Sequence, residues 1–295
     1  MKALLTGWLT FILLAINTVC FVLPLMCVSL VKVVVPIAPF QQGCTGVLTW
    51  IAETWSMVNK AIFAMTTPTV WDIRGLENVD QHRSYLVLAN HQSWVDIPAL
   101  LQTFTRKIPF FKFFLKRELI WVPLLGMAWW ALDYPFVRRY SKDFLKKNPH
   151  LKGKDMELTR QACDKFQKIP VSVMNFVEGT RCTEQKKLAS QSPYQHLLKP
   201  KSGGVAFVLS AMGGQFSAIL DVTLVYPEGD TPTFVDLMCG RVDRVIVDIT
   251  EREIPAWLCE GDYGNDKQFR VQFQQWLNQT WQDKDKRIGE LSSEL

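Results

Sequence analysis

Tyr85-Leu86-Val87-Leu88-Ala89-Asn90-His91-Gln92-Ser93-Trp94-Val95-Asp96 is the stretch on which the reading of this chain turns. Its first five residues form a short, uninterrupted β-type run. Trp94 to Phe104 then repeats apolar residues at helical spacing. Strand, turn and helix therefore follow one another within about twenty residues, with His91 in the turn. On one continuous helix His91 and Asp96 would point about 140° apart. In a strand–turn–helix setting the two side chains converge. A carboxylate beside an imidazole fixes its tautomer and stabilises its protonated form, which makes the histidine a better general base. The pattern is weak by itself. With four His and 16 Asp in the chain, an H-x-x-x-x-D recurs by chance, and a structural histidine near a turn is the plainer reading.

Working outward, the same alternation continues. Val171 to Val177, Ala218 to Tyr226 and Arg244 to Ile249 read as further strands. Phe110 to Leu132 reads as a helix broken at Pro123, and Asp155 to Lys168 as an amphipathic helix. Val205 to Ala211 reads as a helix after a Gly203-Gly204 break. Lys267 to Gln282 carries Phe269, Phe273, Trp276 and Leu277 at helical spacing. The polar stretch Lys147 to Lys154 reads as a loop. Strands alternating with helices predict an α/β fold, a mixed sheet flanked by helices.

The front of the chain is different. Ala3 to Val31 holds no Asp, Glu, Lys or Arg; after Lys32, Val33 to Ala52 holds none either. About 20 apolar residues span a bilayer. The run is too long for a signal-peptide core and no clean cleavage site follows it, so a retained membrane anchor is expected. Pro24 leaves two forms open, one helix or a hairpin of Leu4–Leu23 with Leu25–Phe40. Leu48 to Met65 reads as an amphipathic helix leading away. The expected organisation is an anchor and linker helix over 1–66, a catalytic domain over 67–250 and a C-terminal helical extension over 251–295.

Charge follows this division. The net charge is +5, but Thr105 to Arg160 alone holds 13 Lys/Arg against 5 Asp/Glu, leaving the remainder at −3. A basic region beside a membrane segment suits anionic headgroups or a phosphorylated ligand. No nucleic-acid-binding motif accompanies it, and nucleic acid is not an expected partner. The seven cysteines are odd in number and irregular in spacing, with no C-x-x-C. They predict reduced thiols facing a cytosol, without a disulfide framework or a metal site.

Two more clusters carry chemistry. Phe176-Val177-Glu178-Gly179-Thr180-Arg181 ends a strand. Gly179 permits a tight turn, Thr180 offers a hydroxyl and a helix cap, and Arg181 offers a two-pronged fork for phosphate. A salt bridge from Glu178 to Arg181 is the alternative reading of that carboxylate. Phe136-Val137-Arg138-Arg139 follows an apolar run, and its arginines either hold a substrate phosphate or snorkel to lipid.

Taken in order, these clusters resemble the glycerolipid acyltransferases, the 1-acylglycerol-3-phosphate acyltransferase (PlsC-like) family. His91 and Asp96 match its H-x-x-x-x-D motif. Lys116-Arg117-Glu118-Leu119 with Pro123 and Gly126 matches its K-x-E-L…P…G stretch. Phe136 to Arg139 matches F-x-x-R, FVEGTR matches F-P-E-G-T-R, and Asp221 to Pro227 resembles its last motif. Two departures stand out: Asp133 where the family has Gly, and Val177 where it has Pro. The Val form, with Cys182 to Lys187 and Leu197 to Lys201, looks closer to the lysophosphatidate and lysocardiolipin acyltransferase branch.

The resemblance implies acyl transfer from acyl-CoA or acyl-carrier protein to the sn-2 hydroxyl of lysophosphatidic acid, or of another lysophospholipid. A non-enzymatic membrane scaffold on the same fold is the competing class. His91 would be the base and Asp96 its orienting partner. Arg139 and Arg181 would bind the acceptor phosphate, with Lys116, Lys201 and Thr180 nearby, and Glu178 and Gly179 would shape that site. No G-x-S-x-G elbow occurs, in keeping with direct transfer. Ile120 to Leu132, with Trp121, Trp129 and Trp130, suits an interfacial element that admits acyl chains. No metal and no bound cofactor are expected. Expected partners are the two substrates, membrane lipids and, where it serves as donor, acyl-carrier protein. The expected location is a bacterial inner membrane with the catalytic domain on the cytoplasmic side.

Overall fold

A computed structural model describes residues 1–122, 125–137, 169–227 and 231–294. Within them lies a six-stranded sheet, built from strands of β-branched and aliphatic residues. The strands are β1 (Val70–Arg74), β2 (Ser84–Ala89), β3 (Phe111–Phe113), β6 (Ser172–Phe176), β7 (Phe216–Val225) and β8 (Arg244–Arg252). β4 (Leu115–Lys116) and β5 (Phe136–Val137) form a separate two-stranded pair. The six-stranded order is β1-β8-β7-β2-β6-β3. Neighbours run parallel except β7 and β8, so the sheet is mixed, as the alternation of elements predicts.

β2 is central, and all six of its residues are buried. Successive strand residues point to opposite faces. Leu86 and Leu88 therefore pack on one side with α6 (Ser202–Met212) and α9 (Lys267–Ser292). Tyr85, Val87 and Ala89 pack on the other with α3 (Asp96–Phe104) and Phe63. Phe63 comes from α2 (Ala38–Thr66), which pairs with α1 (Lys2–Val34) as a helical hairpin. Asn17 of α1 joins the two, donating to Asn59 Oδ1 at 2.8 Å and to the Trp55 carbonyl at 3.1 Å.

The hairpin breaks in a different place from the one Pro24 suggested. α1 runs through Pro24, between the buried Val22 and Leu25, and the chain turns only at Val35-Pro36-Ile37. Val35, preceding Pro36, is extended at φ −105°, ψ 94°, where a pre-proline residue is pushed out of the helical region. α2 accordingly starts ten residues earlier than Leu48.

Phe110 to Leu132 also departs from its helical reading. It holds β3, β4, a 3₁₀ turn over Arg117–Trp121 and the short α4 (Leu125–Ala131). Phe111 and Phe113 alternate with Lys112, a period of two that fits the sheet edge beside β6. The remaining helices are α5 (Glu184–Ser190), α7 (Phe234–Met238) and α8 (Trp257–Glu260). Gly203 and Gly204 lie inside the first turn of α6 and do not precede it; Gly204 lets the Asn175 side chain approach. α9 continues to Ser292, ten residues past its expected end. The helix expected over 155–168 and the loop over 147–154 lie outside the described residues.

Candidate active site

β2 and β6 are adjacent and parallel, with Ala89 opposite Phe176. Their C-terminal ends therefore deliver the His91 turn and the Glu178 turn side by side. Outside the carboxyl ends of parallel strands is where α/β sheets form ligand crevices. Backbone bonds clip the two turns together. The Val177 N–H donates to the Ala89 carbonyl at 3.3 Å, and the Cys182 N–H donates to the His91 carbonyl at 2.6 Å.

His91 Nδ1 lies 2.7 Å from Asp96 Oδ2. The strand–turn–helix setting thus brings together the pair that a continuous helix would separate. Asp96 is fully buried at the start of α3. Its Oδ2 also accepts from the Gln92 N–H at 2.7 Å and the Ser93 N–H at 3.0 Å. Its Oδ1 accepts from the Tyr226 hydroxyl. A carboxylate so fully bonded is held in one orientation. The His91 ring stacks on Phe176, centroids 4.0 Å apart and planes 17° apart. With Nδ1 engaged and the ring plane set, Nε2 is the nitrogen left to exchange a proton. The His91 side chain is 17% exposed, so it can be reached from outside.

The second turn is built around Gly179, at φ +68°, where a left-handed residue is needed. The Lys201 side chain packs on the open side of Gly179, its Nζ 3.3 Å from where a β-carbon would stand. Lys186 Nζ donates to Thr180 Oγ1 at 2.6 Å and to the Arg181 carbonyl at 2.9 Å. The Arg181 guanidinium lies 4.9 Å from the Trp94 ring centroid, a cation–π contact. Arg181, Lys186 and Lys201 thus converge on one exposed turn beside His91. The Thr180 hydroxyl caps no helix; Thr183 does, accepting from the Lys186 N–H at the start of α5.

Glu178 does not pair with Arg181. It is buried, with Oε1 accepting from the Leu198 N–H at 3.2 Å. Burial pushes its carboxyl up to about 8, while the backbone amides of Leu198 and His91 favour the charged form. Burial thus favours the neutral acid at Glu178. Cys182, whose backbone N–H bonds the His91 carbonyl, has its thiol pushed up to about 11 by burial and is a poor nucleophile.

Lys116 ends β4 opposite Val137 of β5, two residues before Arg139. That register brings the K-x-E-L and F-x-x-R segments together. Arg139 itself lies outside the described residues. Gly126 sits where a β-carbon would stand 2.1 Å from the Ile120 carbonyl oxygen, so this motif glycine is required by close backbone approach. Asp133, found where the resembled family has glycine, adopts φ +56° and pairs with Lys32. Asp is among the few side chains that enter the left-handed region readily.

Tyr226 and Asn90 were not identified from sequence. Tyr226 follows β7, and β7 pairs with β2 on the side away from β6. Asn90 exchanges two hydrogen bonds with the Leu224 backbone, at 2.9 and 2.8 Å, which ties the His91 turn to β7. Asn90 directly after a strand is the signal that sequence offered; Tyr226 was read as the last residue of its strand and ends up just past it.

The acyltransferase family model matches residues 71–231. Mouse 1-acyl-sn-glycerol-3-phosphate acyltransferase gamma is 24% identical over 250 residues, 81% of this chain and 59% of its own length. Zebrafish lysocardiolipin acyltransferase 1 is 24% identical over 292 residues, 92% of this chain and 70% of its own. The chain thus spans about six-tenths of the length of the mouse relative. The crystal structure of PlsC, the 1-acyl-sn-glycerophosphate acyltransferase from Thermotoga maritima, is similar in fold, with a TM-score of 0.56 and 18% identity. That similarity covers 100% of this chain and 99% of the other. The stretch from β1 past β7, with both motif turns inside it, places this chain in the acyltransferase family.

Proposed function

We propose that this protein transfers a fatty acyl group from an acyl thioester to the sn-2 hydroxyl of lysophosphatidic acid, giving phosphatidic acid. The 2.7 Å contact between His91 Nδ1 and the buried Asp96 carries the reading, because it leaves Nε2 free at an accessible strand end. Nε2 takes the hydroxyl proton as the oxygen attacks the thioester carbonyl. The carbon–oxygen bond forms, the carbon–sulfur bond breaks, and the proton passes from His91 to the leaving thiolate. Asp96 steadies the imidazolium in between. A thiolate leaves readily, so the step needs no acyl-enzyme, metal or bound cofactor. Arg181, Lys186 and Lys201 form the cationic side that receives the acceptor phosphate, and Arg139 and Lys116 are given the same role from their motifs alone.

The N-terminal hairpin holds the protein at the inner membrane, with the catalytic side toward the cytoplasm where acyl-CoA or acyl-carrier protein is found. Among the described residues α1 is the one helix long and apolar enough to cross a membrane. Trp121 and Trp130 are exposed near the same end, which suits an interfacial entry for acyl chains. The match to lysocardiolipin acyltransferase covers more of this chain than the mouse match does, and it supports lysocardiolipin as the second acceptor.

The test is a panel of lysophospholipid acceptors, with acyl-CoA and acyl-carrier protein donors, run on the purified protein and its His91→Ala variant. Lysophosphatidic acid should be the best acceptor. Activity should fall by about 10²–10⁴-fold in the variant, the usual contribution of a general base, with vesicle binding unchanged. Near-normal activity in His91→Ala removes the assigned base. A preference for lysocardiolipin moves the assignment to the second acceptor.

A further inference from the structure

We propose that α9 positions the acceptor side of the active site. Trp281 and Asp285 hold the segment 195–201 so that Leu198 stays bonded to Glu178 and Lys201 stays against Gly179. This rests on the reading of the Gly179 turn and Lys201 as part of the acceptor site. α9 lies beyond residue 231, outside the stretch that matches the acyltransferase family.

Lys284 is fully buried, and its Nζ stands 2.6 Å from Asp221 Oδ1 on β7. Arg252 of β8 pairs with the other oxygen of Asp221 at 2.8 Å. Lys284 also donates to the Val222 carbonyl and to Thr223 Oγ1. A buried ammonium must find such partners, so they set the depth and rotation of α9 against the sheet. β7 is the strand that leads to Tyr226, and so to Asp96.

From this seat α9 reaches the segment before α6. Asp285 accepts from the Gln195 N–H at 2.9 Å and the His196 N–H at 2.8 Å. The fully buried Trp281 donates from Nε1 to the Leu198 carbonyl at 3.1 Å. The same Leu198 donates its own N–H to Glu178 Oε1 at 3.2 Å. Three residues on, the Lys201 N–H donates to the Val177 carbonyl at 2.9 Å, and its side chain packs on Gly179. Each grip of α9 is thus one peptide unit or a few residues away from a group in the Glu178–Gly179 turn. Segment 195–201 belongs to no helix or strand; besides these bonds it is held by Lys187 Nζ on the Gln195 carbonyl, Ser192 Oγ on the Leu197 carbonyl and Gln274 of α9 on the Pro200 carbonyl.

The experiment uses the full-length protein in mixed micelles, with Asp285→Ala, Asp285→Asn, Trp281→Phe and Lys201→Ala variants. Two readouts are taken: steady-state kinetics against lysophosphatidic acid at saturating acyl-CoA, and amide hydrogen exchange over 195–201. Asp285→Ala should lose exchange protection there. Its KM for the acceptor should rise about tenfold with kcat and donor KM little changed, within what a misplacement of about 1 Å costs. Asp285→Asn keeps one acceptor oxygen and should fall between. Trp281→Phe removes the donor together with part of the buried ring and should behave at least as severely as Asp285→Ala. The proposal is overturned if protection is lost while the acceptor KM stays within twofold and Lys201→Ala still raises it. Protection that survives Asp285→Ala overturns it as well. An unchanged KM in Lys201→Ala removes the acceptor-site reading itself, and this inference with it.

Discussion

At the scale of single residues, the site depends on how Asp96 is held. Its Oδ2 has three partners from the His91 turn, while Oδ1 relies on the Tyr226 hydroxyl. Removing that donor leaves a buried carboxylate oxygen short of a hydrogen bond, a loss of about 1–3 kcal/mol. Tyr226→Phe should therefore lower kcat by about tenfold, the equivalent of about 1.4 kcal/mol, with little change in acceptor KM. Wild-type turnover in that variant would show that the Oδ1 contact does not bear on His91. Glu178 offers a pH test. Its carboxyl is raised to about 8 by burial, against 4.5 for a free glutamate. Between those two values the folded state keeps a proton that the unfolded chain releases. The contribution to stability is therefore full below about pH 4.5 and is lost as pH rises toward about 8. Glu178→Gln stays neutral throughout. Melting temperatures of the two proteins in detergent should diverge in favour of Gln as pH rises from 5 to 8, and a constant difference would contradict the raised carboxyl. His91 and Asp96 were legible in sequence because both lie in one strand–turn–helix. Tyr226 was not, because it lies 130 residues from Asp96 and meets it only through the pairing of β7 with β2.

Among the elements, those with one clear period were readable and those with two were not. β2, β6, β7 and β8 are apolar runs bounded by turns, and their reading needed no tertiary information. Phe110 to Leu132 is mostly apolar, interrupted only at Lys112 and at Lys116-Arg117-Glu118, so buried strand and buried helix look alike over its short apolar runs. What divides it is close packing around Gly126 and the edge of β6, which spacing does not report. Pro24 left two forms open for a related reason. Neighbouring turns of α1, with Val22, Leu25 and Ser29 buried, hold the helix together across it. The packing account of the second region can be checked with two glycines. Gly126→Ala would drive a β-carbon to 2.1 Å from the Ile120 carbonyl, a backbone atom that cannot rotate away. The expected cost is about 1–3 kcal/mol, as for overpacked sites. Gly203, in the first turn of α6, faces open space. Gly203→Ala should be neutral or stabilising by up to about 1 kcal/mol. Thermal unfolding in detergent would separate the two, and equal melting points would sink the close-packing account.

For the molecule as a whole, the question is how the charge-free front meets the bilayer. α1 is 33 residues long. At 1.5 Å per residue it extends about 50 Å, longer than the ~30 Å hydrocarbon core. Its length alone allows a crossing. Its contacts argue for another arrangement. Near its start, Gly7 lies against Cys239 at the end of α7. In its middle, Leu14 packs on the sheet's α3 side. Near its end, Lys32 pairs with Asp133, just past α4. Gly7 and Lys32 are some 37 Å apart along the helix axis, yet both touch the body that carries the active site. A helix leaving that body to cross a membrane would touch it at one end. This one lies along it, and turns Leu5, Trp8, Ile12, Leu23 and Leu30 outward. Such a strip fits an element sunk into one leaflet, with the charge of Lys32 neutralised where the helix emerges. Both helix ends should then be reachable from the face that carries the catalytic residues. Single cysteines at Lys2, at Ile37 and at the exposed Leu188, in a background without the native thiols, would be labelled in sealed vesicles by a membrane-impermeant maleimide. The three positions should react to the same extent before lysis. Protection of the Lys2 position alone, with the other two reactive, would mean that α1 crosses.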